Sequence, residues 1–214
     1  MHVKNIGSAA ATALLAGCAA VVPAPDYEAL LDAMMKASFR DQGIAKVDRL
    51  QQDESDAACS KAEGKSLPDA TANAIAAANL KTVQPPSDGK YIGDWKEGEK
   101  LAQNGRGMTW TDPSAATSAN GGNCYNCHML SQSEVSFGTL GPSLHNYGKL
   151  RGVRDPASAD AKPIVEYTWA KLYNAKAYNA CSGMPRFGHA GLLDEKQLKD
   201  LMALLLDPKS AVNQ

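Results

Sequence analysis

No apolar run in this chain is long enough to cross a bilayer, since a spanning helix needs about 20 consecutive apolar residues. There is no surplus of positive charge either. Lys plus Arg number 22 against 23 Asp plus Glu, so no basic field points to nucleic acid. Aromatic residues are scarce at 6%, no segment alternates apolar and polar residues as a half-buried strand does, and no internal repeat is visible. What is present is a 214-residue chain, 44% hydrophobic and rich in alanine. That suffices for one ordinary domain with an appendage and leans helical.

The first 24 residues read as an export signal. Lys4 supplies a positive start, and IGSAAATALLAG (6–17) is a small-residue apolar stretch too short to span. Two processing routes fit. Leu15-Ala16-Gly17-Cys18 matches a bacterial lipobox, which would leave Cys18 as a lipid-carrying N-terminus. Cleavage among residues 19–24, which releases a soluble chain, is the preferred route. Both place the mature protein outside the cytoplasm, in a periplasm-like, disulfide-permissive compartment. Of the five cysteines, Cys18 belongs to the signal or a lipid, and Cys124 and Cys127 form a CxxC pair. Cys59 and Cys181 remain. A disulfide between them is the economical reading, and two separate buried thiols the plainer one. Such a bridge closes a loop worth roughly 4–5 kcal/mol in the chain-entropy model.

Asp26 predicts an N-cap for YEALLDAMMKASF, with Leu30, Ala33, Met34 and Ala37 on one stripe. A second helix is expected over 44–62 and a third over 69–80, after Pro68. Pro85-Pro86 then interrupts regular structure. Residues 25–90 thus read as a helical extension that serves for packing and docking. In 91–208, helices are expected from Asp94 to about 104, over 163–174, and over 194–206. The last is capped by Asp194 with Gln197 in the capping-box position and Leu198, Leu201, Met202 and Leu205 as its inner stripe. Residues 105–122, GTLGPSLHNYG and CSGMPRFGHAGL read as loops, and 209–214 as a tail.

The informative stretch is GGNCYNCHML, 121–130. A thioredoxin-like dithiol should sit in a βαβ unit, and strands are missing. A structural zinc site takes four N/S ligands, usually as two pairs, and only one pair exists. Covalent attachment of one haem c needs two thiols for the porphyrin vinyl groups and an imidazole next in sequence. Cys124, Cys127 and His128 supply that set in an exported chain. His128 is then the proximal iron ligand, and its other ring nitrogen needs an acceptor. GPSL at 141–144 is similar to the loop that supplies a proline carbonyl in small c-type cytochromes, which makes Pro142 the candidate, against an ordinary Gly-Pro turn. For the sixth ligand the candidates are Met184, His145, His189 and the other methionines. Met129 is adjacent to the proximal ligand and cannot reach the opposite face, and Met202 reads as core. Met184, in a Gly/Pro-rich loop just before the last helix, is the preferred ligand. His/Met ligation raises the potential and leaves no open position, which favours an electron carrier.

Residues 91–207 resemble a class I cytochrome c, which implies an all-α fold with the helix at 94–104 crossing the last helix beside the haem. GGNCYNCH, GTLGPSL and above all CSGMPRFGHAGLLDEKQLKDLMALLLDP (181–208) resemble SoxX, the mono-haem subunit of the SoxAX complex of bacterial sulfur oxidation. The extension resembles the longer SoxX variety, in which the Cys59–Cys181 bridge is expected. The resemblance implies a heterodimer with SoxA that oxidatively joins thiosulfate to a cysteine of the carrier SoxYZ. The catalytic haem would lie in SoxA, so no catalytic residue is expected in this chain. This subunit would take electrons from SoxA and pass them to a small cytochrome c. Arg186 is a candidate for contact with a haem propionate or the partner, against a solvated loop arginine. Lys149, Arg151 and Arg154 form a small basic cluster that reads as a solvated loop.

Overall fold

Residues 24–214 are described in the structure, a computed structural model. The expected export signal and Cys18 lie outside the described residues except for Ala24. Among the described residues, seven α-helices and short 3-10 turns make up the regular structure, and no strand is found beyond one isolated bridge, Gln42–Ala45. The chain divides after Phe39 into two units.

In the first unit, α1 (Tyr27–Ser38) begins where the Asp26 carboxylate accepts a hydrogen bond from Ala29 N at 3.0 Å. An Asp32–Lys36 pair one turn apart supports its outer surface, at 2.7 Å. None of its residues is buried.

The second unit, Arg40–Gln214, takes in most of the expected extension together with the rest of the chain. The helix expected over 44–62 is broken into a 3-10 turn, Val47–Leu50, and α2, Glu54–Lys61. The break has a local cause. Asp53 is extended, and its carboxylate caps α2 by accepting from Asp56 N at 2.8 Å, which stops a helix running through it. α3 (Asp69–Leu80) follows Pro68 as expected. It is docked through buried amides: Asn174, fully buried, donates to Asn79 Oδ1 and Thr82 Oγ1, both at 3.0 Å. Trp169 Nε1 donates to the Gln84 carbonyl at 2.7 Å. These bonds pack the stretch around 79–84 against the chain beyond residue 90.

α4 (Trp95–Gln103) is capped by Asp94, and α7 (Glu195–Leu206) by a complete Asp194/Gln197 capping box. The two helices are in direct contact at Gly98, where a Cβ would run into the Asp200 carbonyl oxygen. Asp200, buried, also accepts from Asp94 N at 2.8 Å and so holds the start of α4. α6 (Lys162–Tyr173) carries Pro163 in its first turn and buries Val165, Trp169 and Leu172. These pack with Leu198, Leu201, Met202, Leu204, Leu205 and Leu206 of α7 into the core. α7 is enclosed on more than the expected stripe, since Ala203, Leu204 and Leu206 are buried too.

Two sequence expectations fail at the C-terminal end for one reason. The segment expected to be a loop around 147 contains a short helix, α5 (Tyr147–Leu150), and the expected tail 209–214 is part of the core, with Ser210 and Val212 fully buried. Asn213 joins them. Its Oδ1 accepts from Gly148 N and Lys149 N at 3.0 and 3.1 Å, and its Nδ2 donates to the Leu205 and Asp207 carbonyls. A side chain about 65 residues away satisfies the first amides of α5, and no local pattern signals that.

Candidate functional site

The CxxCH segment is a tight turn fixed to the end of α4. Asn104 ends that helix, and its carbonyl accepts from Asn123 N at 3.0 Å, while Gly122 N donates to Leu101 O at 2.8 Å. Asn123 then adopts the left-handed conformation (φ 49°), a role asparagine tolerates better than most residues, and turns the chain into the 3-10 turn Cys124–Asn126. The Cys124 carbonyl accepts from both Cys127 N (3.1 Å) and His128 N (2.9 Å). One backbone oxygen thus fixes all three residues of the motif relative to one another.

The two thiols are not joined to each other. Cys124 lies against the apolar cluster that also takes up Leu101, Leu144, Tyr173 and Met184. Burial pushes its thiol up to about 12, so it is protonated at neutral pH. Between the cysteines, Tyr125 points inward. It is buried and donates through its hydroxyl to Glu99 Oε1 of α4 at 2.9 Å, and burial first, then the Glu99 contact, raises its pKa.

The following loop runs back along the motif on three backbone hydrogen bonds: Gly138 N to Tyr125 O (2.8 Å), Gly141 N to Cys127 O (2.8 Å) and Leu144 N to Met129 O (2.7 Å). That register brings Pro142 O to 2.7 Å from His128 Nδ1. With a carbonyl as its partner, Nδ1 must be the protonated nitrogen, which leaves Nε2 as the one available to a metal. Gly141 closes the arrangement. A Cβ there would overlap the imidazole ring, so only glycine lets the loop lie flat against it. Two unpaired thiols on a fixed turn and one oriented imidazole form a donor set that fits covalent haem attachment. No group of three or more His, Cys, Asp or Glu side chains is gathered as a metal cluster among the described residues.

Met184 is half-buried in the irregular segment between the 3-10 turn Ala175–Ala177 and α7, and it packs against the core. Of the other candidates, Met108 has a left-handed backbone (φ 64°) and its carbonyl accepts from Arg49 Nη1 at 2.7 Å. His145 meets Asn146 Nδ2 through Nε2 at 2.9 Å, while its Nδ1 is buried without a hydrogen bond. His189 is largely exposed, and partial desolvation of its ring, then the nearby Arg186, lowers its pKa. Cys59 and Cys181 are joined in a disulfide, with Cα atoms 5.5 Å apart. Arg186 is not free in solvent: its Nη2 lies 2.6 Å from Asp53 Oδ2 and 3.5 Å from Asp56 Oδ2, because α2 and its cap present both carboxylates to it. In the basic cluster, Arg151 is committed to Tyr147, stacking on its ring at 3.6 Å and donating to its carbonyl.

Sequence reasoning missed three parts of this site. Gly141 was legible only as half of a Gly-Pro turn. The inward-facing Tyr125 occupies a position the CxxC pattern leaves unspecified. The Asp53 and Asp56 carboxylates come from a segment that carried no chemical signal of its own.

No family model matches the chain. It is 35% identical over 137 residues to a protein of Aquifex aeolicus (strain VF5) named uncharacterized lipoprotein, a match covering 62% of this chain. The match spans 59% of that relative, less than two thirds of its length.

Proposed function

We propose that this chain is a class I cytochrome c of the SoxX type, the electron-transfer subunit of a SoxAX complex. The observation that carries the reading is the oriented His128 imidazole, with Nδ1 held by Pro142 O, the ring backed by Gly141, and two unpaired thiols on the turn just before it. Cys124 and Cys127 would form the thioethers, and His128 and Met184 would be the residues that hold the iron. A haem c held there supplies a one-electron iron couple. The contact of α4 with α7 supports the cytochrome c fold, in which these two helices cross.

Joining thiosulfate to a cysteine thiol forms one S–S bond and releases two electrons and one proton. The bond forms at SoxA on the SoxYZ carrier. This chain accepts the electrons from SoxA singly and hands them to a small cytochrome c. It has no catalytic residue of its own. Leu15-Ala16-Gly17-Cys18, together with the name of the Aquifex relative, favours export with lipid anchoring at Cys18 on the periplasmic side over soluble release. The same observation favours a second reading, a lipid-anchored electron carrier without an enzyme partner.

Affinity capture of the tagged, haem-loaded chain from cells oxidising thiosulfate separates the two. A stoichiometric second c-type cytochrome, with thiosulfate-dependent activity toward a SoxYZ carrier, is the expected result. A haem protein that emerges alone supports the free carrier. A chain that takes up no covalent haem in a host competent for cytochrome c maturation removes both readings.

A further inference from the structure

The segment that carries Met184 has little structure of its own. Between Cys181 and Arg186 the backbone makes no helix, and Met184 N reaches only Ser182 Oγ, at 3.3 Å. Such a segment samples many conformations unless its ends are held, and holding a side chain in one place costs the entropy of ordering it. Both ends are held by the same element. On the N-terminal side, three residues before Met184, Cys181 is bonded to Cys59 of α2. On the C-terminal side, two residues after it, Arg186 is clasped by Asp53, the cap of α2, at 2.6 Å and by Asp56 of its first turn at 3.5 Å.

The clasp is only partly shielded from solvent: the Arg186 side chain is 18% exposed, while Asp53 and Asp56 are 40% and 41% exposed. Asp56 uses its other oxygen to bind Lys176 Nζ at 2.6 Å, and that lysine side chain is 5% exposed. Lys176 in turn donates to Ala180 O, beside the disulfide, at 3.4 Å. Asp53 Oδ1 caps α2 while Oδ2 takes Arg186, so one carboxylate sets both the helix start and the arginine.

We propose that α2, which lies outside the haem-binding segment, positions Met184: the Cys59–Cys181 bridge and the Asp53/Asp56–Arg186 clasp fasten the methionine loop from both sides and hold the thioether on the iron. This rests on Met184 being the distal ligand. Asp53, Asp56 and Arg186 are positioning residues that touch neither the iron nor a substrate. Their contribution is to disfavour loop conformations in which the methionine has swung away.

The test uses the full haem-loaded chain and the variants D53N, R186Q, R186K and M184A. Asparagine caps helices as well as aspartate does, so D53N removes the charge facing Arg186 while keeping the start of α2. Carbon monoxide binding to the ferrous protein and the midpoint potential are read for each, and far-UV circular dichroism is used to check the fold. In D53N and R186Q, carbon monoxide affinity is expected to rise by about threefold to tenfold and the potential to fall, both toward the M184A values, with R186K returning toward wild type. A merely structural contact would alter thermal stability and leave these two readouts where they were. If M184A changes both readouts but D53N and R186Q match wild type, the positioning role is overturned and the ligand assignment stands. If wild type binds carbon monoxide as readily as M184A, the ligand assignment fails and the positioning role falls with it.

Discussion

Gly141 illustrates how the site depends on an atom that is missing. Its backbone amide is held by Cys127 O, so the loop cannot back away from His128, and a methyl group added there meets the imidazole itself. G141A is expected to destabilise the protein by about 1–3 kcal/mol through overpacking and to lower the yield of haem-loaded chain. Denaturant titration and haem-stained gels measure the two effects. Asn174 is a different kind of single-residue dependence. It is fully buried and bonds to Asn79, Thr82 and Lys176 N. N174A strands the Asn79 oxygen without a donor, and a loss of about 1–3 kcal/mol is expected in the same titration.

Among the elements, the α4–α7 contact is where close approach matters most. Gly98 lets the backbone of α4 rest on the Asp200 carbonyl and on Leu204. In an exposed helix, Gly to Ala would stabilise by up to about 1 kcal/mol. Here the added Cβ has no room, and G98A is expected to lower the thermal midpoint instead. The opposite sign would show that the helices can move apart without cost. The ends of these helices were readable because Asp94 and Asp194 are cap residues acting within one turn of the backbone they serve. α5 was not readable, because the side chain that takes up its first amides, Asn213, lies 65 residues further along the chain.

For the second unit, two kinds of long-range tie act together. The disulfide links residues 122 apart, and the double variant C59S/C181S is expected to lose about 2–5 kcal/mol. Ion pairs supply the other tie. Lys199 bridges Asp88 and Glu195, at 2.7 and 2.6 Å. Its ammonium, with the backbone N–H groups of Lys90 and Ser87 next in strength, holds both carboxyls below their ordinary values. At Asp53, burial pushes upward, but the Asp56 N–H and Arg186 together outweigh it and the net shift is downward. A carboxylate with a depressed folded-state pKa contributes stability that is present above its unfolded value, near 4, and is lost as the pH falls through the folded value. The thermal midpoint should therefore hold through neutral pH and drop as the pH goes below about 4. For D88N/E195Q that acid drop should be shallower.

By itself the sequence determined what is local. Caps, prolines and helical periodicity set the spans of α1, α3, α4, α6 and α7 to within a residue or two, because the groups involved lie within a turn of one another. Cysteine arithmetic singled out Cys59 and Cys181, and the spacing of Cys124, Cys127 and His128 singled out the motif. Only the tertiary structure decided what depends on groups far apart in the chain. It broke the helix expected over 44–62, made the expected tail a wall of the core, and gave Tyr125 a carboxylate partner. It also turned Arg186 away from solvent and onto α2. The physical reason is the same in each case. A buried polar or charged group must find a partner, and which partner is within reach is fixed by packing rather than by sequence spacing.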